Sequence, residues 1–136
     1  MKLGEIKAQA MMLMGIGGGV PISYGDIDGY KQDPSYAPYI HAMNGAVNRC
    51  LSRLYVVGAI QEEHSPVDVG TDEGYEMSVP ERLAQLIPLY VVGDVFALEE
   101  PSVAQNKRNE FESSLEDYMN KCAFQEQNAV EIVYGV

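Results

Sequence analysis

The chain has 136 residues, of which 46% are hydrophobic and 21% charged, and its formal net charge is −11. This length is enough for one domain with a compact core but not for two, and the composition is that of a globular chain rather than a disordered one. Because binding to nucleic acid requires lysine and arginine to neutralise phosphates, the acidic balance argues against a protein that grips DNA or RNA.

No apolar run has the length needed to span a bilayer. The best candidate, Leu83 to Leu98, is interrupted by Pro88 and Asp94. The N-terminus carries no pattern typical of a signal peptide. We therefore expect a protein that is soluble and intracellular when made, with no membrane partner.

The cysteines and histidines are too few and too scattered for a metal site. Cys50 and Cys122 fall inside helical patterns far apart in the sequence, and without a secretion signal we expect two buried free thiols rather than a disulfide. A tetrahedral zinc site needs four ligands, and neither His41 nor His64 keeps a metal-ligand spacing with a cysteine.

Two helices are predicted in the first half of the chain. A short amphipathic helix covers Lys2 to Met14, with apolar residues at helical spacing, and the glycine-rich run 15–19 ends it. Residues 23–30 form a loop or a single helical turn. A stronger helix follows Asp33-Pro34, where Asp is the N-cap and Pro the first helical residue, and it runs to about Val57.

The middle of the chain is predicted to be a loop followed by a buried helix. Residues 61–77 are acidic and rich in turn formers, which indicates a surface loop, or a short hairpin with 67–69 and 75–77 as its arms. Ser78 and Glu81 then fit a capping box. Residues 83–98 are apolar nearly all round, as in a central helix, and Pro88 should kink it.

A final helix begins at Glu99-Glu100-Pro101-Ser102, and its inner face runs from Ala104 to Cys122. Residues 130–134 are rich in strand formers but have no evident partner strand. We expect a mainly α fold, a small bundle of about four helices. Residues 1–122 would form the helical domain, with 61–77 as a long acidic loop or short hairpin, and 123–136 an extended C-terminal tail.

None of the motifs supports catalysis or cofactor binding. The glycine cluster is followed by no lysine and is preceded by a helix, unlike a phosphate-binding loop. Asp26-x-Asp28-Gly29 resembles part of a calcium loop but lacks ligands at both ends. His41 and Cys50 lie about two and a half turns apart on one helix and cannot touch. We therefore expect no enzyme, no cofactor and no bound metal.

Three blocks of the sequence together resemble the head–tail connector (adaptor) family of tailed phages and prophages. The first is the opening helix with its short loop, and the second runs from Tyr30 through Asp33-Pro34 to Asn48-Arg49. The third and most specific block combines Ile87-Pro88-Leu89-Tyr90 and Gly93-Asp94 with Glu99-Glu100-Pro101, Ala104, Arg108-Asn109 and Phe111-Glu112-x-x-Leu115. Many relatives carry a longer, strand-rich insertion where this chain has only the acidic loop.

This resemblance implies a structural role in the virion neck, between capsid and tail, with assembly in the host cytoplasm. The partners that it implies are further copies of the chain in a ring, commonly dodecameric, the portal protein, and a tail stopper or tail-completion protein. Double-stranded DNA would pass through the ring without specific binding. The C-terminal segment would reach the portal.

Two hypotheses about interacting residues follow. An apolar strand former without a partner can add itself to the sheet edge of a neighbour, so the tail is a candidate portal-docking strand, comprising Ala129, Val130, Glu131, Ile132, Val133 and Tyr134. A ring of acidic subunits would also disfavour adhesion of DNA to its wall. The candidate channel-facing acids are Glu62, Glu63, Asp72 and Glu73.

Two other classes of function remain open at this point. One is a different phage neck or tail-completion protein, such as a stopper or terminator, which tend toward strand-rich folds. The other is a small acidic protein-interaction module that binds one partner and is not part of the virion.

Overall fold

The structure is a computed structural model that describes the backbone of residues 1–18 and 20–134, and the side chains of 1–18 and 20–123. Over this part of the chain it has six helices, one of which, α4, is a single turn. They are α1 (Leu3–Leu13), α2 (Tyr24–Tyr30), α3 (Ala37–Val56), α4 (Glu81–Ala84), α5 (Ile87–Val95) and α6 (Pro101–Tyr134). The predicted mainly α fold, a small helical bundle, is confirmed.

The N-terminus pairs with the end of the acidic loop. The amides of Leu3 and Gly4 donate to the carbonyls of Tyr75 and Glu73 at 2.9 and 2.8 Å, and the Met77 amide donates to the Met1 carbonyl at 3.0 Å. The pairing partner of residues 73–77 is therefore the start of the chain and not residues 67–69. The alternative of a local hairpin in this loop was wrong, and the loop alternative was right.

The first two helices have the boundaries that their local sequence favours. α1 ends at Leu13, and Gly15, Gly17 and Gly18 have φ values of 72°, 94° and 67°, which side chains other than glycine rarely adopt. Residues 23–30, predicted to be a loop or a single turn, form the two-turn helix α2. Ser23 caps it, since the Ser23 hydroxyl accepts a hydrogen bond from the Asp26 amide.

The predicted strong helix starts a few residues later than expected. Asp33 closes a turn instead of capping the helix, because its carboxylate accepts a hydrogen bond from the Ser35 amide at 2.8 Å. α3 begins at Ala37, and Pro38, not Pro34, occupies its first turn. It ends at Val56, and Gly58 follows with a φ of 79°.

The predicted kinked helix is in fact two helices. Pro88 has no amide hydrogen, and in a continuous helix its ring would clash with the carbonyl of Ala84, four residues earlier. The helix is therefore interrupted between these two residues: α4 ends at Ala84, and Pro88 lies in the first turn of α5. Ser78 does not cap α4, whose N-cap position is Pro80.

α5 is the central helix and packs against α1, α3 and α6. Its position depends on Gly93, where a Cβ atom would lie 2.6 Å from the Cγ atom of Arg108 on α6. The core around it is built from the apolar faces of all six helices. Its largest fully buried apolar side chains are Phe111, Leu3, Ile6, Met11, Ile27, Met43, Leu54, Leu83, Ile87 and Val47.

The predicted extended tail is wrong where the structure describes it. α6 crosses residue 122 without a break and continues to Tyr134, a helix of 34 residues and about 50 Å. Ser102 to Tyr134 contains no glycine or proline, so nothing local ends the helix. The strand preference of residues 130–134 is weak without a partner strand. Residues 135 and 136 lie outside the described part.

No helix among the described residues combines the length and the apolar character that crossing a bilayer requires.

Candidate interaction surfaces

A buried ion-pair network joins α1, α2 and the acidic loop. The Lys7 ammonium lies 2.9 Å from Oε1 of Glu73, and the Lys31 ammonium lies 3.2 Å from the same oxygen and 3.2 Å from Asp28. Lys7 and Glu73 are both 0% exposed. Lys31 and Asp28, in contrast, reach the surface. The network joins the end of the acidic loop to α1 and α2.

Burial and pairing act in opposite directions on the two lysines. Burial lowers the pKa of Lys7, and the hydrogen bond from Lys7 to Glu73 only partly offsets this effect. For Lys31, which is partly exposed, burial also lowers the pKa, but the hydrogen bonds to Glu73 and Asp28 outweigh it and the pKa is raised. Glu73 therefore favours the charged form of both lysines.

The candidate channel-facing acids separate into two groups. Glu62, Glu63 and Asp72 are exposed, as a channel lining would require. Glu73 is fully buried and paired with two lysines, and for this reason it is removed from the set. Its burial follows from the pairing of its carbonyl with Gly4, which brings its side chain between α1 and α2.

The acidic loop is also attached to α3. The side-chain amide of Asn48 donates to the carbonyl of Val67 at 2.8 Å, and its oxygen accepts from the Val67 amide at 2.8 Å. A side chain here satisfies both backbone groups of one residue, as a neighbouring strand would. The loop is thereby attached to the body at residue 67 and again at residues 73–77.

Between these two attachments lies a tight turn, residues 68–72, which we call the acidic turn. The Asp68 carboxylate accepts from the Gly70 amide at 2.8 Å, and the Asp68 amide donates to the Thr71 hydroxyl at 3.0 Å. Asp72 accepts from the Gly74 amide. Val69, at the tip of the turn, is 54% exposed. The acidic turn thus holds an apolar side chain between two carboxylates in a fixed conformation.

A groove of about 440 Å³ runs between α3, α5 and α6, and we call it the α3–α6 groove. Its floor is formed by Tyr90 and Phe111, whose rings meet edge to face with centroids 5.2 Å apart. Burial raises the pKa of the Tyr90 hydroxyl, and Asp94 adds to this effect. The groove therefore has an aromatic floor that is partly shielded from water.

The rim of the α3–α6 groove is charged. Arg49 forms an ion pair with Asp94, with its Nε atom 2.9 Å from the carboxylate, and Arg53 lies 2.9 Å from Glu112. Arg108 is exposed and forms no ion pair with a described side chain. The charged residues that line the groove are two arginines, Arg53 and Arg108, and two carboxylates, Asp94 and Glu112. Because these carboxylates are paired with Arg49 and Arg53, Arg108 is the arginine of the lining that has no ion-pair partner among the described side chains.

Several large apolar side chains are exposed elsewhere on the surface. Leu98, after α5, is 94% exposed, and Val56, at the end of α3, is 81% exposed. A small hollow of about 140 Å³ beside the glycine run is lined by Met12, Ile16 and Val20. Isolated exposed apolar residues are common in monomers, so none of these alone defines a binding site.

The two cysteines are free thiols in different environments. Cys50 is fully buried in the core, and burial raises the pKa of its thiol to about 12. Cys122 is only partly buried on α6. Among the residues with described side chains, no group of three or more histidines, cysteines or carboxylates could hold a metal ion.

The candidate docking residues 129–134 have a described backbone, which is helical, but their side chains lie outside the described residues. Sequence reasoning did not identify the Asn48–Val67 clamp, the burial of Lys7 or the α3–α6 groove. Lys7 offered the one visible signal, since it stands among small and apolar residues in α1. Comparison with protein-family models, with curated proteins and with solved structures found no match to this chain.

Proposed function

We propose that this protein is a structural subunit of a tailed-phage neck, a head–tail connector that forms a ring joining the portal to the tail and continues the DNA channel. The observation that carries the proposal is the most specific block of resemblance to the connector family, residues 87–115. This block corresponds to α5 and the first half of α6, and it includes Gly93, which permits their close contact.

The charge distribution supports a passage for DNA. Glu62, Glu63 and Asp72 are exposed on a loop that carries no lysine or arginine between residues 61 and 77. Repeated around a ring, these carboxylates would give a negative wall to which phosphates do not adhere. The same acidity would also keep a subunit soluble before assembly. The main support for the proposal is therefore the block of resemblance in 87–115, and the charge is additional.

Because the described C-terminal residues are helical, the proposed contact with the portal involves a helix and not an added strand. We propose that residues 129–134 contact the portal as the end of α6. A helix of about 50 Å extends across a small domain, and a helix end is suited to docking in a groove of a partner. The proposed partners are further copies of this chain, the portal and a tail stopper or completion protein.

The helical fold favours a connector over the nearest alternative. Stoppers and terminators tend toward strand-rich folds, whereas the described residues of this chain form helices and a single isolated bridge between Lys2 and Glu76. The other alternative is an acidic interaction module outside the virion. Each observation that fits such a module fits a connector equally well. The test below separates the two by the partner that is bound.

The test is co-purification with the portal protein encoded by the same genome. The full-length chain and a chain that ends at Asn128 are each co-expressed with a tagged portal, and the complexes are weighed by native mass spectrometry. We expect stoichiometric binding of the full-length chain and loss of binding by the shortened one. Because the shortened chain keeps every described core side chain, circular dichroism should show that it is folded. Absence of binding by both chains contradicts the proposal.

A further inference from the structure

The α3–α6 groove contains an exposed arginine, Arg108, that forms no ion pair with a described side chain. The formal net charge of the protein is −11, yet the rim of this groove retains the charge of Arg108 after Arg49 and Arg53 have paired with Asp94 and Glu112. The aliphatic part of Arg108 lies over Gly93. Arg108 lines the same groove as Tyr90 and Phe111, and its exposed, unpaired guanidinium is available to a carboxylate.

The acidic turn has the complementary features. Val69 stands at its tip with 54% of its surface exposed, and Asp68 and Asp72 flank it. The hydrogen bonds from Gly70 and Gly74 to these carboxylates fix the turn before it meets any partner. A preformed turn loses little conformational entropy on binding.

The turn and the groove lie on different sides of α3. The loop is bound to Asn48, whereas the residue of α3 that lines the groove is Arg53. Asn48 and Arg53 are about 140° apart around the helix axis. A contact between two different surfaces of identical copies is heterologous, and it closes into a ring when the rotation allows.

We propose that the acidic turn of one copy docks into the α3–α6 groove of the next copy, with Val69 over the floor formed by Tyr90 and Phe111 and the Asp68 carboxylate beside Arg108. This inference rests on the proposed neck function, since it names the contact between neighbouring subunits of the ring. Duplex DNA fits the groove less well, because Asp94 and Glu112 stand on its rim.

The test is a charge exchange between the two surfaces in the full chain. Val69→Arg brings a cation into an arginine-lined groove, and Arg108→Glu brings an anion toward an acidic turn. Each alone is expected to weaken self-association about tenfold or more, since like charges across an interface cost at least 1.4 kcal/mol. The double variant restores the attraction and should recover most of the association.

The association is measured by sedimentation and native mass spectrometry, for the chain alone and on portal rings. Neither Val69 nor Arg108 forms an ion pair or side-chain hydrogen bond within the described chain, so folding should be unchanged by circular dichroism. Asn106→Glu, exposed on another face of α6, is the matched control and should leave association unchanged. A cross-link that forms only when Val69→Cys and Arg108→Cys chains are mixed, both carrying Cys122→Ser, would locate the contact directly.

The outcomes separate this inference from the proposed function. Rescue by the double variant without portal binding supports the contact and contradicts the neck role. Portal binding with self-association that is insensitive to both single variants overturns the contact alone. Loss of portal binding in Arg108→Glu with self-association intact makes the portal the occupant of the groove and also overturns it. No self-association under any condition, on portal rings included, overturns it as well.

Discussion

The ammonium of Lys7 and the carboxylate of Glu73 meet 2.9 Å apart, with both side chains fully buried, although 66 residues separate them in the sequence. This pair holds the end of the acidic loop against α1. Removing one partner of such a pair strongly destabilises the fold, because the other partner is left as an uncompensated buried charge.

Glu73→Gln removes the charge that compensates Lys7, and we expect the free energy of unfolding to fall by about 3–5 kcal/mol. Urea unfolding measures it. The double variant Lys7→Met/Glu73→Gln should recover most of the loss, because no uncompensated charge stays buried. Glu62→Gln, at an exposed acid of the same loop, should change stability by less than about 0.5 kcal/mol. Equal effects of Glu73→Gln and Glu62→Gln would show that Glu73 is not buried with Lys7.

Gly4 and Gly29 are a matched pair of helical glycines with opposite expected responses to alanine. A Cβ at Gly4 would lie 2.5 Å from the Cβ of Tyr24 and 2.9 Å from the carbonyl oxygen of Glu73, whereas at Gly29 it meets nothing within 4 Å. Gly4→Ala should destabilise by about 1–3 kcal/mol through overpacking. Gly29→Ala should stabilise by about 0.5–1 kcal/mol. Thermal unfolding compares them, and the same sign for both would contradict the close contact of α1 with α2.

Asn48→Ala removes both hydrogen bonds to Val67 and should release the acidic loop from α3. We expect a loss of about 1–3 kcal/mol, since two backbone groups lose their partner. Hydrogen exchange provides the specific measurement, because the Val67 amide should exchange much faster while amides within α3 stay protected. Asn106→Ala, at an exposed position of α6, serves as the control. Unchanged exchange at Val67 would refute the clamp.

Cys50 gives a pH dependence whose sign is fixed by its burial. Its pKa in the folded protein, about 12, lies above the ordinary value of 9.0. Between these values the unfolded chain loses a proton that the folded chain keeps, so stability falls as pH rises above about 9, by about 1.4 kcal/mol per pH unit for this group. Cys50→Ala lacks this dependence. The stability difference between the native protein and the variant should therefore narrow above pH 9, and a constant difference would contradict the burial of the thiol.

Local sequence patterns predicted the helices well where one apolar face with helical spacing packs on the core. The periodic apolar residues from Ile40 to Leu54 and from Ala104 to Leu115 gave α3 and the first half of α6. The interruption of the helix before Pro88 was harder to predict, because a proline inside an apolar run is compatible with a kink in one helix or with the first turn of a new one. Which one forms depends on the packing of α5 against three other helices.

The long-range polar contacts could not be predicted. Glu73 stands among acidic and turn-forming residues that indicate solvent, and its burial depends on Lys7, which the sequence places far away. Asn48 likewise has no local partner and acts 19 residues downstream. The helical state of residues 129–134 was missed because β-branched residues favour strands only weakly, while an uninterrupted helix before them propagates by one hydrogen bond per residue.

The most direct test of the neck role is the number of copies of this chain in purified phage particles. Particles produced by the source genome are purified, and the chain and the portal protein are quantified together by mass spectrometry against labelled peptides. If this chain forms one ring in the neck, its copy number per particle should be of the same order as that of the portal, which also forms one ring. A chain that is abundant in the lysate but absent from the particles would contradict the neck role.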